Sequence, residues 1–263
     1  MEPLEYPSSQ PTPPPKRRGL FGWIAAAALI ALKYGFLALK SLKTALSMLL
    51  MIWVYSWLYG WRFAAGFVAL LFVHEMGHVV AAWRLGMPVS APLFIPFVGA
   101  SIVMKQSPRD AWSEALMAYG GPLAGALGSW LCWGIALQGD IPWLMAVASA
   151  SFVLNLFNLI PVPPLDGGRI CAAVSPWFWL VGLLLLGAAV LYFHSWGAVF
   201  IIILVLFMAA PRIRATFRDR GTPAMQAYYA THPMQRVAMA AMYILLIAML
   251  LLGYWDSSLR LGQ

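Results

Sequence analysis

RFAAGFVALLFVHEMGHVVAAW, residues 62–83, is an apolar run with three ionisable side chains, His74, Glu75 and His78, set in its second half. Ionisable groups are costly in hydrocarbon, so three of them in one helix-length segment need a compensating partner such as a bound metal. An α-helix turns once every 3.6 residues, so His74 and His78 point from one face and their ring nitrogens can share an ion. Glu75 lies beside them, where it can serve as the base of a His-Glu-x-x-His zinc site. The stretch predicts a membrane-crossing helix that carries two metal ligands and a base, with peptide hydrolysis as the implied chemistry.

The rest of the chain agrees with a membrane setting. Of its 263 residues, 62% are hydrophobic and 10% charged, against roughly 25% charged in soluble domains. A span needs roughly 20 predominantly apolar residues, and several such stretches leave no room for a large soluble domain. The net charge of +8 comes from basic residues clustered in short loops, so it reports orientation and predicts no nucleic-acid partner. Cys132 and Cys171 lie in or beside apolar stretches and read as small buried apolar residues, not as a disulfide framework.

The expected class is an all-α polytopic membrane protein with about six to seven transmembrane helices, an interfacial N-terminal helix, and a re-entrant loop or β-hairpin. Residues 1–18 read as a disordered, proline-rich cytoplasmic tail that is retained. Residues 19–43 read as an interfacial amphipathic helix with Lys33, Lys40 and Lys43 on one face, the rival being an extra span over Leu20–Leu39. With the interfacial reading, spans fall near 44–60, 62–83, 112–137, 141–160, 177–193, 195–210 and 236–254. Every basic residue except Arg62 and Arg260 then faces the cytoplasm. Residues 44–210 form the membrane-embedded core, 211–236 a basic cytoplasmic loop with Arg212, Arg214, Arg218 and Arg220 solvated, and 237–263 a last span and short tail.

In this topology the His74 helix and the span over 141–160 descend toward the same face, and the second delivers Asp166. A catalytic zinc keeps three protein ligands and one open position, so Asp166, in Leu165-Asp166-Gly167-Gly168, is the candidate third ligand. Between the two, Met87–Gln106 carries Pro88, Pro92, Pro96 and Gly99, which break helices and predict the re-entrant loop or hairpin. Ser107 is the expected N-cap of the next helix, with Pro108 at its first position and Glu114 in a structural role. Gly120, Gly121, Gly125 and Gly128 suit close helix packing. Asn155 reads as a structural polar group, and His194 and His232 lie away from the site.

His74-Glu75-Met76-Gly77-His78 and the Asn158–Gly168 element, with Gly120-Gly121-Pro122 between them, resemble the site-2 protease family of intramembrane zinc metalloproteases over roughly residues 62–175. That resemblance implies one Zn2+ per chain held by His74, His78 and Asp166, Glu75 as catalytic base, and Asn158 near the substrate. It implies membrane-spanning protein substrates, contact with membrane lipids, and a multi-pass location, here expected in a bacterial inner membrane with the active site near the cytoplasmic face. The chain looks like a compact form without PDZ or CBS domains, and it has Gly125 where many relatives carry Asn. The alternative is a non-catalytic zinc- or substrate-binding membrane protein, a pseudoprotease or metal carrier. Glu75 beside both histidines favours the enzyme, because a carrier needs ligands but no base.

Overall fold

The computed structural model describes residues 42–101, 104, 106–193 and 196–262. The expected tail over 1–18, nearly all of the expected interfacial helix over 19–43, and His194 lie outside the described residues. The chain opens with α1 (Leu42–Tyr59) and α2 (Trp61–Arg84). They meet at Gly60, whose φ of +81° lies in the left-handed region that glycine enters without a Cβ penalty. After α2 comes the antiparallel hairpin of β1 (Leu93–Ile95) and β2 (Gly99–Ser101), in register Leu93 with Ser101 and Ile95 with Gly99. The prolines and glycines between residues 87 and 106 thus give the hairpin form of the expected segment.

The remaining described elements are helical: α3 (Ala111–Gly139), α4 (Pro142–Asn158), α5 (Asp166–Val174), α6 (Phe178–Phe193), α7 (Trp196–Arg218), α8 (Pro223–Tyr228) and α9 (Pro233–Leu261). Among the described residues, four stretches are long and apolar enough to cross a membrane: α1, α2, Val199–Arg218 of α7, and α9. The apolar helices Pro142–Asn158 and Phe178–Tyr192 are shorter. With 29 residues α3 is as long as α9, but it is not among those four.

Two boundaries differ from expectation. Ser107 does not cap α3; the helix starts at Ala111, and Asp110 is its N-cap, with Oδ1 accepting from Ser113 N at 2.7 Å. Nor does α7 stop before Pro211: it continues to Arg218, which shortens the expected basic loop over 211–236. A proline inside a helix removes one backbone donor, a loss that neighbouring helices can make good. Here Arg212, immediately after the proline, turns inward and grips Glu114 of α3 with two bonds of 2.6 and 2.5 Å. Arg212 is therefore no solvated loop arginine, whereas Arg214, Arg218 and Arg220 are exposed. Tyr228 of α8 donates to the same carboxylate at 2.5 Å. Burial, then the Glu114 charge, push its phenol above the ordinary value, so it stays a donor. Glu114, expected to be structural, joins α3, α7 and α8.

Packing centres on α3, which lies against α2, α4, α5 and α9. Its buried alanines, Ala111, Ala115, Ala118 and Ala126, share a core with Phe152 of α4, Ile170 of α5 and Leu246 and Leu250 of α9. Lipid tails are as apolar as leucine, so such helices associate through close packing and internal polar contacts more than through the hydrophobic effect. Outer faces accordingly carry large exposed apolar side chains, including Trp57, Leu131, Leu184 and Phe207, while His74, Glu75, His78, Glu114, Asn155 and Asp166 are buried. Both cysteines are free, Cys171 buried and Cys132 half-buried.

Helices α2 and α3 come together backbone to backbone, where a methyl group added to Gly120 would stand 2.6 Å from the Gly77 carbonyl oxygen and 2.8 Å from Ala81 Cβ. Gly120→Val should therefore destabilise the detergent-solubilised protein by about 1–3 kcal/mol, the usual cost of overpacking. Gly134→Val, at a position of α3 with open space around it, should leave the unfolding midpoint in a denaturing-detergent titration close to that of the parent.

Candidate metal centre

The apolar face periodicity of α2 carries His74, Glu75 and His78 inward, and all three are buried. Four residues apart, the two imidazoles meet edge to face with centroids 4.8 Å apart. The prolines after α4 end that helix, and α5 starts at Asp166, whose carboxylate enters the same space. The resulting triangle is tight: His74 Nε2 to His78 Nε2 is 3.1 Å, His74 Nε2 to Asp166 Oδ2 is 3.3 Å, and His78 Nε2 to Asp166 Oδ2 is 3.2 Å.

The outer nitrogens decide what those inner atoms are. His74 Nδ1 lies 2.9 Å from Asn155 Oδ1, and the amide orientation is set because Asn155 Nδ2 donates to Ser151 O at 2.8 Å. His78 Nδ1 lies 2.9 Å from the Met117 carbonyl oxygen. Both partners only accept, so each Nδ1 carries a hydrogen, and in the neutral ring Nε2 is the nitrogen left with a lone pair. Two nitrogen lone pairs and a carboxylate oxygen then face one another with no protein donor between them, an arrangement that calls for a cation. A tetrahedral zinc with bonds of about 2.0–2.1 Å holds its ligand atoms roughly 3.3–3.4 Å apart, close to the edges of this triangle. Among the described residues, His74, His78 and Asp166 form a cluster that could hold a metal ion.

Glycines of α3 make the mould for these side chains. A methyl at Gly121 would collide with the His78 ring, and one at Gly125 with the Asn155 amide. With glycine at 125, the amide of Asn155 of α4 occupies the space beside it. Asn155 is thus the correction to its reading as a mere structural polar group: it holds a ring nitrogen of His74. An amide in a largely apolar helix is costly unless partnered, but the sequence does not say which partner it meets.

The triangle opens into a cavity of about 260 Å³ lined by His74, Glu75, His78, Asn158, Asp166 and Arg169 together with Phe97, Val98 and Gly99 of the hairpin. All five residues picked from the sequence therefore border one space. Asn158 is half-buried there. His232 caps α9 at an exposed position and does not reach the cavity. Arg169 was not anticipated.

Residues that orient metal-binding histidines commonly change metal affinity 10–100-fold when lost. Asn155→Leu should weaken zinc retention by that order, measured by competition with a chelator of known affinity, while Ser129→Ala, one residue further along the same polar chain through its 2.7 Å bond to Ser151, should change it much less.

Comparison with known proteins points to zinc. Three relatives align over about 40% of the chain and carry zinc metalloprotease names. One is Zinc metalloprotease MJ0392 of Methanocaldococcus jannaschii, 32% identical over 114 residues and 33% of its own length. The other two are provisionally named as such: Rip3 of Mycobacterium tuberculosis, 33% identical over 116 residues and 29% of its length, and sll0528 of Synechocystis, 29% identical over 114 residues and 29% of its length. The matched part of the chain thus spans a third or less of each of these relatives. The family implies Zn2+ as cofactor, and with four apolar helices of spanning length the chain is an integral membrane protein. The model of peptidase family M50 matches residues 62–140 and 138–204, more than half of the sequence and both arms of the metal triangle, and the chain belongs to that family.

Proposed function

We propose that this protein is an intramembrane zinc endopeptidase that hydrolyses peptide bonds in or near the transmembrane segments of other membrane proteins. His74, His78 and Asp166 would hold one zinc ion, with Glu75 as the catalytic base and Asn158 as a substrate contact. The observation that carries the reading is the triangle of three acceptor atoms, 3.1–3.3 Å on each edge, with Glu75 buried beside it in the same cavity. Three protein ligands leave the fourth position of a zinc ion free, as catalytic sites do and structural sites do not.

Zinc bound there supplies Lewis acidity, polarising a carbonyl and acidifying water. Glu75 takes the proton of the attacking water and passes it to the leaving amine. The Nδ1 bonds of His74 and His78 to Asn155 and Met117 fix the tautomer and direction of both rings, so that Nε2 of each faces the site. Asn158, on the last turn of α4, offers its amide to the substrate backbone. A substrate helix hides its carbonyls in its own hydrogen bonds, so it must be unwound before attack. The hairpin that lines the cavity supplies strand edges on which an extended segment can lie.

The finer topology belongs to the same proposal. With α3, α4 and α6 as further spans, the chain crosses the membrane about six to seven times, and the positive-inside rule sets the cavity near the cytoplasmic face of a bacterial inner membrane. The partners are then a membrane-spanning protein substrate and lipids, with no nucleic acid.

Purified protein should contain one zinc per chain by elemental analysis, retained in Glu75→Gln and lost in Asp166→Ala. Cleavage of a co-expressed single-span reporter should fall at least about 10²-fold in Glu75→Gln, the lower range of general-base contributions. Equal cleavage by Glu75→Gln would remove that residue from the mechanism. Zinc-loaded wild type that cuts none of a panel of single-span reporters would instead support the non-catalytic metal-binding protein.

A further inference from the structure

Three residues after Asp166, on the same face of α5, stands Arg169, as the i, i+3 spacing of a helix requires. Its base is firmly held. A methyl group at Gly167 or Gly168 would collide with the backbone of Leu159–Pro163, and the Gly168 carbonyl accepts from Trp179 Nε1 at 2.8 Å. From there the side chain borders the cavity together with His74, Glu75, His78, Asn158 and Asp166.

The guanidinium is short of acceptors. Its Nε is buried with no hydrogen-bond partner. The nearest carboxylate oxygen, Glu114 Oε1, lies 3.8 Å away, beyond hydrogen-bonding range. Glu114 is occupied, taking two bonds from Arg212 and one from Tyr228. Two guanidinium groups thus share one carboxylate, and the cluster keeps a net charge of about +1 beside the cleft. The side chain of Arg169 is 24% exposed. A largely buried donor without an acceptor is unfavourable, and arginine's rigid fork suits planar oxygen acceptors better than a lysine ammonium would. Glu114 holds the group near the cleft by charge without saturating it.

We propose that Arg169 is a substrate-anchoring residue of the cleft, donating to an acceptor oxygen of the bound peptide close to the bond that is cut. The oxygen is either a backbone carbonyl or an acidic side chain, and both satisfy the same donor fork. The inference rests on the endopeptidase reading of the cavity and adds a residue that binds and selects the substrate.

The test uses the full chain in detergent and a fluorescently labelled single-span peptide that wild type cleaves. Binding is read by anisotropy in the uncleaving Glu75→Gln background, and kcat and KM are read in the active enzyme. Loss of a bond to a charged donor weakens binding roughly tenfold. Arg169→Met should therefore raise both Kd and KM about tenfold with kcat within about twofold, and zinc content unchanged. Arg169→Lys, which keeps the charge but not the fork, should recover part of that loss. Peptides with each Asp or Glu changed to Asn or Gln separate the two sources: if the penalty vanishes for one of them, the partner is a carboxylate, and if it persists for all, it is a backbone carbonyl. Kd and KM within twofold of the parent in Arg169→Met, with or without a lower unfolding midpoint, would overturn the proposal. Should Arg169→Met fail to fold, unchanged Kd and KM in Arg169→Lys would do so. A wild type that binds the peptide but cuts no reporter refutes the endopeptidase reading, and the anisotropy comparison still judges Arg169.

Discussion

Three acceptor atoms held 3.1–3.3 Å apart in a buried site repel one another unless a cation lies among them. Much of the structure serves to keep them there. Two come from α2, whose helical spacing puts them on one face. The third comes from α5, which the prolines after α4 turn back toward α2. Because α2 and α5 are far apart in sequence, α3 fixes their meeting: it packs on both and carries the carbonyl of Met117 that orients His78. The same helix has glycine where His78 and Asn155 need room.

A second polar knot sits beside the first. Glu114 is 1% exposed and would be a severe burden as a lone charge, since breaking a buried pair by removing one partner commonly costs about 3–5 kcal/mol. Arg212 and Tyr228 make it tolerable, and in doing so they draw α7 and α8 onto α3. The knot explains why α7 runs past Pro211, and why one arginine of a basic cluster faces inward while its neighbours face water.

How far the sequence disclosed this follows from the range of each interaction. The pairing of His74 with His78 is a one-turn relation within a single helix, so spacing alone suffices. Pro88, Pro92, Pro96 and Gly99 forbid a helix locally, so the hairpin region stood out, although its register did not. Asp166 required a long-range guess, made feasible because few acidic groups lie in apolar surroundings. Asn155 escaped because its partner is distant: it meets His74 across 81 residues, and no local pattern marks that contact. Arg212 was misjudged for the same reason, its partner lying 98 residues away. The N-cap error was local. Ser107 and Asp110 are both good capping residues, and only the observed bond to Ser113 separates them.

The hairpin is fastened to α1 at three places: Thr44 Oγ1 donates to Pro92 O at 2.8 Å, Phe94 N donates to Ser47 Oγ at 3.2 Å, and Phe97 N donates to Tyr55 OH at 3.1 Å. Phe97 and Val98 at the tip also border the cavity. The first described helix and one wall of the chamber are consequently a single mechanical part, like a door and its frame rail. Any sideways step of α1 large enough to admit a guest from the bilayer must either carry that wall with it or break these ties.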